Sequence, residues 1–344
     1  MTYPKDREPL LRDSDCGNEI ENEKWQHELF KFSDAISFIH IKRERICPRA
    51  VFLIVATILG LFLVDQYRIS MRRTELEECN DVLAECENVP FNETLVPPFY
   101  NYLEDFTVSR RYDISLCLIP KVMSTIGTAV LCYIDDPHAF SNANRSIAHE
   151  TYDGRFCEGN EMKSFASVSR NLHSDFENVI VVRDPFDRFI SGFTEKCVKY
   201  EGLDLCHGCG VDIRCFLRKQ YRRFMRMSML FPVYTLADTH FAPQTWFCDM
   251  KNSLNKSKVI KYANRGEERD QMIDSILEVF ERRNVTMEEQ GEVRNELSKG
   301  KTIHSTRGST IRLDYEKMMK EDVSIRRAIV RMYYYDFLYF GYKI

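Results

Sequence analysis

One short segment constrains this chain more than any other. Ile114 to Ile119 is an almost unbroken apolar run, Pro120-Lys121-Val122-Met123-Ser124-Thr125 follows it directly, and a helix-compatible stretch begins at once. A buried strand that feeds a tight turn and then a helix aims backbone N–H groups, one ammonium and two hydroxyls at a single point. Such a cradle suits phosphate. The glycines of the nucleotide-triphosphate loop GxxxxGK[ST] are missing, so ATP and GTP are not the expected ligands.

A second strand, turn and helix follows about sixty residues on. Val179 to Val182 has the pattern of a buried strand, and Arg183 to Ser191 reads as the turn and helix after it. Asp184 suits an N-cap and Pro185 the first helical position, so the helix should open just past Arg183. Ser191, seven residues past the cap, returns to the face of Asp184 near Arg188. An arginine fork and a hydroxyl would then converge on a second phosphate. Farther on, helices are predicted near Ile213 to Met229, Glu267 to Arg283 and Asp322 to Tyr335, with a short strand over Val259 to Tyr262. This alternation predicts an α/β domain with a mainly parallel sheet and its ligand at the strand C-termini.

The PKxxST turn and the RDPxxRxxS helix resemble the cofactor site of the sulfotransferases, specifically the Golgi carbohydrate sulfotransferases related to the chondroitin and HNK-1 enzymes. Asp238-Thr239-His240-Phe241-Ala242-Pro243-Gln244 with Cys248 is similar to a His-aromatic segment of that family, and Tyr335 to Tyr342 is similar to its closing segment. The resemblance spans roughly residues 113 to 344. It implies a P-loop-like sulfotransferase fold and a PAPS-dependent (3′-phosphoadenosine-5′-phosphosulfate) carbohydrate O-sulfotransferase that takes a glycan or proteoglycan acceptor. Lys121, Ser124 and Thr125 would hold the 5′-phosphosulfate, and Arg183 and Ser191 the 3′-phosphate. Lys121 would also steady the leaving phosphate as a point charge. His240 would take the acceptor proton, with Glu195 and His304 as alternatives. No metal is expected. Many family members carry Trp-Lys shortly after the two hydroxyls, where this chain has Ile126-Gly127-Thr128. A catalytically inactive, membrane-anchored glycan-binding protein on the same fold is the alternative function.

Residues 50 to 64 form an uncharged apolar run between Arg49 and Asp65. As a helix it would rise about 22 Å against a hydrocarbon core of roughly 30 Å, short for a span unless flanking residues snorkel or the bilayer thins. Read as a signal anchor, it divides the chain into a cytosolic tail (1–45), a transmembrane anchor (46–66), a luminal stem (67–112) and a sulfotransferase catalytic domain (113–344). Lys42, Arg43, Arg45 and Arg49 precede the run and favour a single-pass type II topology in the Golgi membrane. Sequons at Asn92, Asn144, Asn255 and Asn284 all lie beyond it.

Twelve cysteines divide the same way, two before the run and ten after it, where an oxidising lumen would allow disulfides. Cys206-His207-Gly208-Cys209 with Cys215 reads as a disulfide-stapled loop, since a second ligand pair at zinc-finger spacing is absent. In the stem, Leu76, Cys79, Leu83 and Cys86 fall on a short heptad seam, and a helix would hold Cys79 and Cys86 too far apart to bridge each other. Pairing across a homodimer is the expected outcome. The net charge of -4 argues against a broad polyanion surface and against nucleic acid as a partner. An acidic glycan would need a local basic patch, for which Arg218, Lys219, Arg222, Arg223 and Arg226 are candidates.

Overall fold

The computed structural model describes residues 95–151, 154–200, 205–228, 235–299 and 310–344, with the isolated Gly60. Apart from Gly60, these belong to the unit Ala84–Ile344. Its centre is a sheet of β1 (Phe106–Ser109), β2 (Ile114–Cys117), β3 (Glu161–Met162), β4 (Glu177–Val182) and β5 (Ser257–Lys261), in the order β3-β1-β2-β4-β5. Strands β2, β4 and β5 run parallel, and β1 runs antiparallel to both β2 and β3. The sheet is therefore mixed, not mainly parallel as the segment order predicts. The reason is local: Asp113 takes a left-handed φ of 51°, the chain reverses over four residues, and a hairpin forms where a parallel pair would need a crossover.

Every residue of β1 and β2 is buried, as both faces of the sheet are covered. Helix α1 (Ser124–Asp135) follows β2 and lies against it so closely that a Cβ on Gly127 would stand 2.4 Å from Leu116 Cδ2. Across the same contact the Thr107 and Thr128 hydroxyls share a hydrogen bond of 3.1 Å. After α2 (Pro137–Asn142) and α3 (Phe165–Asn171), strand β4 leads into α4 (Pro185–Phe193), which continues as a π-helical segment over Thr194–Lys199. Then come α5 (Ile213–Met227), α6 (Leu236–Phe241), the single turn α7 (Met250–Ser253) and α8 (Gly266–Arg282). Helices α9 (Met287–Ser298), α10 (Thr310–Glu321) and α11 (Val323–Phe340) complete the order. Thr286 and Glu289 form a capping box at the start of α9.

Among the described residues four disulfides fasten the fold: Cys117–Cys248, Cys132–Cys157, Cys197–Cys206 and Cys209–Cys215. The cysteine loop after α4 is thus held by two adjacent staples, as its spacing predicts, and its thiolates are spent on sulfur rather than on metal. Asn144, Asn255 and Asn284 are exposed, and Asn92 lies outside the described residues.

Among the described residues no helix is long and apolar enough to cross a membrane. The expected single-pass type II anchor, Golgi membrane location and stem-cysteine homodimer are corrected accordingly, since no described helix provides a span and no described residue a stem interface. Residues 46–66 apart from Gly60, with Cys79 and Cys86, lie outside the described residues. The length of the apolar run already falls short of the bilayer core.

The Gly127 contact makes a direct test of how α1 is seated. Gly127→Val should lower stability by about 1–3 kcal/mol through overpacking against Leu116. A denaturant midpoint that falls at unchanged slope would register it; an unchanged midpoint would show that β2 gives way freely.

Candidate active site

Because β2 and β4 are parallel neighbours, their C-terminal ends open on the same edge of the sheet, and the turns after them meet there. The turn after β2 is bent hard. Lys121 (φ 68°) and Met123 (φ 60°) are both left-handed without being glycine, a conformation that costs about 1–3 kcal/mol per residue unless its surroundings enforce it. Two arginines from the β4–α4 unit do so. Arg183 Nη1 donates to the Lys121 carbonyl (2.9 Å), and Arg188 Nε donates to that of Pro120 (3.1 Å). Helix α1 then opens at Ser124 with no side-chain cap and no acidic residue in its first turn. Its first N–H groups keep their partial positive charge for a ligand.

Arg183 is buried by its own neighbours. Its guanidinium forks onto Asp187 through Nε (2.7 Å) and Nη2 (2.6 Å), and its flat face lies over Tyr262. Arg312 of α10 pairs with the other oxygen of Asp187. Burial pushes the Asp187 carboxyl up, but the two arginines outweigh it and hold the group below the usual range. Gln244 reads the Arg183 backbone from both sides, accepting from its N–H and donating to its carbonyl, each at 2.8 Å. Arg188 also reaches the Ala242 carbonyl (2.7 Å), while its Nη2 finds no acceptor among the described residues and the Phe247 ring lies 5.8 Å from the guanidinium. Helix α11 closes the same segment: Asp336 accepts from the Gln244 N–H (2.7 Å) and the Thr245 N–H (3.0 Å), and the Tyr333 hydroxyl donates to the Phe241 carbonyl (2.7 Å).

The charged centre forms between the first turn and the π-helical segment. Lys121 Nζ pairs with Glu195 Oε2, and Lys196 Nζ reaches Glu195 Oε1 at 3.1 Å. Burial, with Lys196, Arg183, Arg188 and Lys199 around it, pulls the Lys121 ammonium down to about 7. Burial also draws Lys196 below its ordinary value. Glu195 and Lys196 both lie in the π-helical segment, and the Glu195 carboxylate takes one lysine on each oxygen. His240, at the end of α6, donates from Nδ1 to the Leu236 carbonyl (2.8 Å), so Nε2 is left as the acceptor. Burial and then the charges of Lys196, Lys121 and Arg188 lower its pKa to about 3.

Lys121, Arg183 and His240 are therefore drawn into one charged region, with Glu195 at its centre. Ser124 and Thr125 occupy the first turn of α1, half-buried, and Ser191 lies half-buried in the second turn of α4 with no hydrogen bond among the described residues. His304 lies outside the described residues. Sequence reasoning did not find Lys196, Gln244 as a clamp, Arg312 or Asp336. Gln244 and Asp336 do fall inside the two family-like segments, which was the available signal. Lys196 brings a second ammonium to the carboxylate that Lys121 meets, from another element. Asp336→Ala would strand two buried N–H groups at about 1–3 kcal/mol each. Faster amide exchange at Gln244 and Thr245, with a lower unfolding midpoint, is the expected result; unchanged exchange would remove Asp336 from the support of the site.

Comparison with known proteins agrees with this geometry. Residues 104–343 match the sulfotransferase family. The chain is 34% identical over 262 residues to carbohydrate sulfotransferase chst-1 of Caenorhabditis elegans, covering 73% of this chain and 79% of that protein. It is 32% identical over 226 residues to vep-2 of the same organism, covering 63% of this chain and 70% of the other. No solved structure matches the chain significantly. With the family match running from β1 through the closing helix, this chain belongs to the sulfotransferase family.

Proposed function

We propose that the protein transfers a sulfuryl group from PAPS to a hydroxyl of a carbohydrate, chondroitin-like in the reading of its motifs. The observation that carries this is the meeting of Lys121, Lys196 and the uncapped start of α1 at the C-terminal ends of two adjacent parallel strands, within a sulfotransferase-family chain. Similarity to a protein named carbohydrate sulfotransferase supports the acceptor class. The residues fit the donor chemically: the turn offers the Lys121 ammonium and the first N–H groups of α1, Lys196 adds a second ammonium, and the Glu195 carboxylate already bridges the two lysines with one oxygen to each, where an anionic group of the donor would be welcome.

In such a transfer the sulfuryl group leaves a phosphate oxygen for the sugar oxygen, charge grows on the departing phosphate, and the acceptor hydroxyl gives up its proton. Lys121 in its ammonium form offsets the growing charge at a partly dry site, where the effect is strongest. Lys196 and the N–H groups of Ser124 and Thr125 add to the same field, and the two hydroxyls orient the phosphosulfate. Arg183 and Ser191 would hold the 3′-phosphate. That role asks Arg183 to share a guanidinium now spent on Asp187 and the Lys121 carbonyl. His240 takes the proton at Nε2, which the Leu236 contact keeps unprotonated. Its low pKa belongs to the anion-free site, because seating negative charge beside Lys121 and Lys196 raises it again.

Lys121→Ala should lower sulfate transfer at least 10²-fold, the scale of removing one preorganised charge, and should leave the thermal midpoint nearly unchanged. Wild-type turnover in a radiolabelled PAPS assay would defeat the assignment. For His240, the imidazole signal in free protein should show no titration between pH 5 and 8, as a pKa near 3 requires, and should move upward when PAP, the product nucleotide, is added. His240→Ala should cut the rate by about 10² to 10⁴ with PAP affinity nearly kept. A variant that instead loses PAP binding would place His240 with the nucleotide.

A further inference from the structure

Helices α5 and α11 enclose a second feature that the transfer chemistry does not use. Between them lies an open cavity of ≈ 460 Å³, bordered by Arg214, Arg218 and Arg222 of α5 and Arg331 of α11, with Leu217 and Tyr221 among its other walls. Arg214, Arg218 and Arg222 repeat every fourth residue, so their guanidinium groups stand in a row on one face, about 6 Å apart along the axis. Among the described residues no carboxylate lines the cavity. Asp322, at the start of α11, pairs with Arg214 and caps its own helix through the Ser324 and Ile325 N–H groups. Arg218 and Arg222 are exposed and make no ion pair or hydrogen bond among the described residues. The Arg331 guanidinium lies 4.3 Å from the centre of the Tyr221 ring, so the wall is both flat and cationic.

Two exposed arginines, Arg218 and Arg222, without an ion pair among the described residues, on a chain of net charge -4, are a local device and not part of a general basic surface. Guanidinium forks bind carboxylate and sulfate in a planar, bidentate manner. An aromatic ring and an aliphatic floor suit the faces of a pyranose. The helix behind the row is also tied to the active site, because Arg223 and Gln220 of α5 both bind Asp238, two residues before His240. We propose that this α5–α11 cavity is an exosite for an acidic oligosaccharide, one bearing carboxylate or sulfate groups, that holds the acceptor chain beyond the reacting sugar. The inference rests on the carbohydrate-transfer reading and names the acidic class of acceptor within it.

The test uses the full chain and the double variant Arg218→Gln/Arg222→Gln, neither residue belonging to the transfer site. Direct titration with an unsulfated chondroitin hexasaccharide, and with its carboxyl-reduced form, should show wild-type binding to the acidic probe alone, weakening as salt rises. The double variant should bind that probe at least tenfold more weakly while its PAP affinity and thermal midpoint stay unchanged. In a transfer assay KM for the hexasaccharide should rise with kcat kept. Equal binding of the acidic probe by both proteins, or equal binding of the reduced probe by wild type, overturns the exosite. So does an Arg218/Arg222-dependent affinity for a DNA duplex with none for the hexasaccharide. If wild type binds the hexasaccharide through these arginines yet transfers no sulfate, the exosite stands and the transfer reading fails, so the two failures are distinct.

Discussion

The site depends on two buried arginines gripping the carbonyls of a strained turn. The turn from Pro120 to Met123 is costly by itself, since Lys121 and Met123 are both left-handed. Arg183 and Arg188 meet that cost with charge-assisted hydrogen bonds made where water does not compete. Burying a guanidinium is itself unfavourable, and burial pulls the Arg188 pKa down. The arginines remain because each has several polar partners: Asp187 and the Lys121 carbonyl for Arg183, and the Pro120 and Ala242 carbonyls for Arg188.

From that grip the remaining supports follow. Gln244 fixes the backbone of Arg183, Asp336 fixes Gln244, and the Cys117–Cys248 disulfide ties the end of β2 to the chain just past Gln244. The closing helix is thereby part of the site although none of its residues touches Lys121. Asp336 is fully buried, and burial raises its pKa. Its oxygens take two backbone N–H groups, which is how a carboxyl can be retained in a dry place without a cation in contact. On the far side, Lys121, Glu195 and Lys196 form a compact group in which a carboxylate keeps two lysines close together. Without an anion between them the lysines would repel one another at low dielectric. An incoming anionic donor therefore exchanges one counter-ion for another and creates no new desolvated charge.

Much of this was legible in the residues. The two turns were readable because strand, turn and helix are local events, written in apolar runs, in Asp184 and Pro185, and in the hydroxyl pair. The antiparallel β1 was not, since four residues such as Phe106-Thr107-Val108-Ser109 carry too little periodicity to declare a strand, and direction is set by the partner. Lys196 was hidden for a different reason. Its approach to the first turn depends on a π-helical segment, and nothing in Thr194 to Lys199 distinguishes a π turn from an α turn by composition. Arg312 and Asp336 were hidden because their partners, Asp187 and Gln244, lie far away along the chain.

The sequence by itself determined the chemistry available: which turn carries the lysine and hydroxyls, which carries the arginine, which cysteines suit a stapled loop, and to which family the motifs point. These are properties of contiguous residues, set by dihedral preference, capping and side-chain type. The tertiary structure decided which groups face one another: that Glu195 sits on Lys121, that Arg183 is turned inward onto Asp187, that His240 keeps Nε2 unprotonated among cations, and that a row of arginines borders a cavity. Such pairings depend on sheet order and helix packing, where free energy is gained by closing contacts between residues more than a hundred positions apart, as for Asp187 with Arg312 and Cys117 with Cys248, and no local pattern records them.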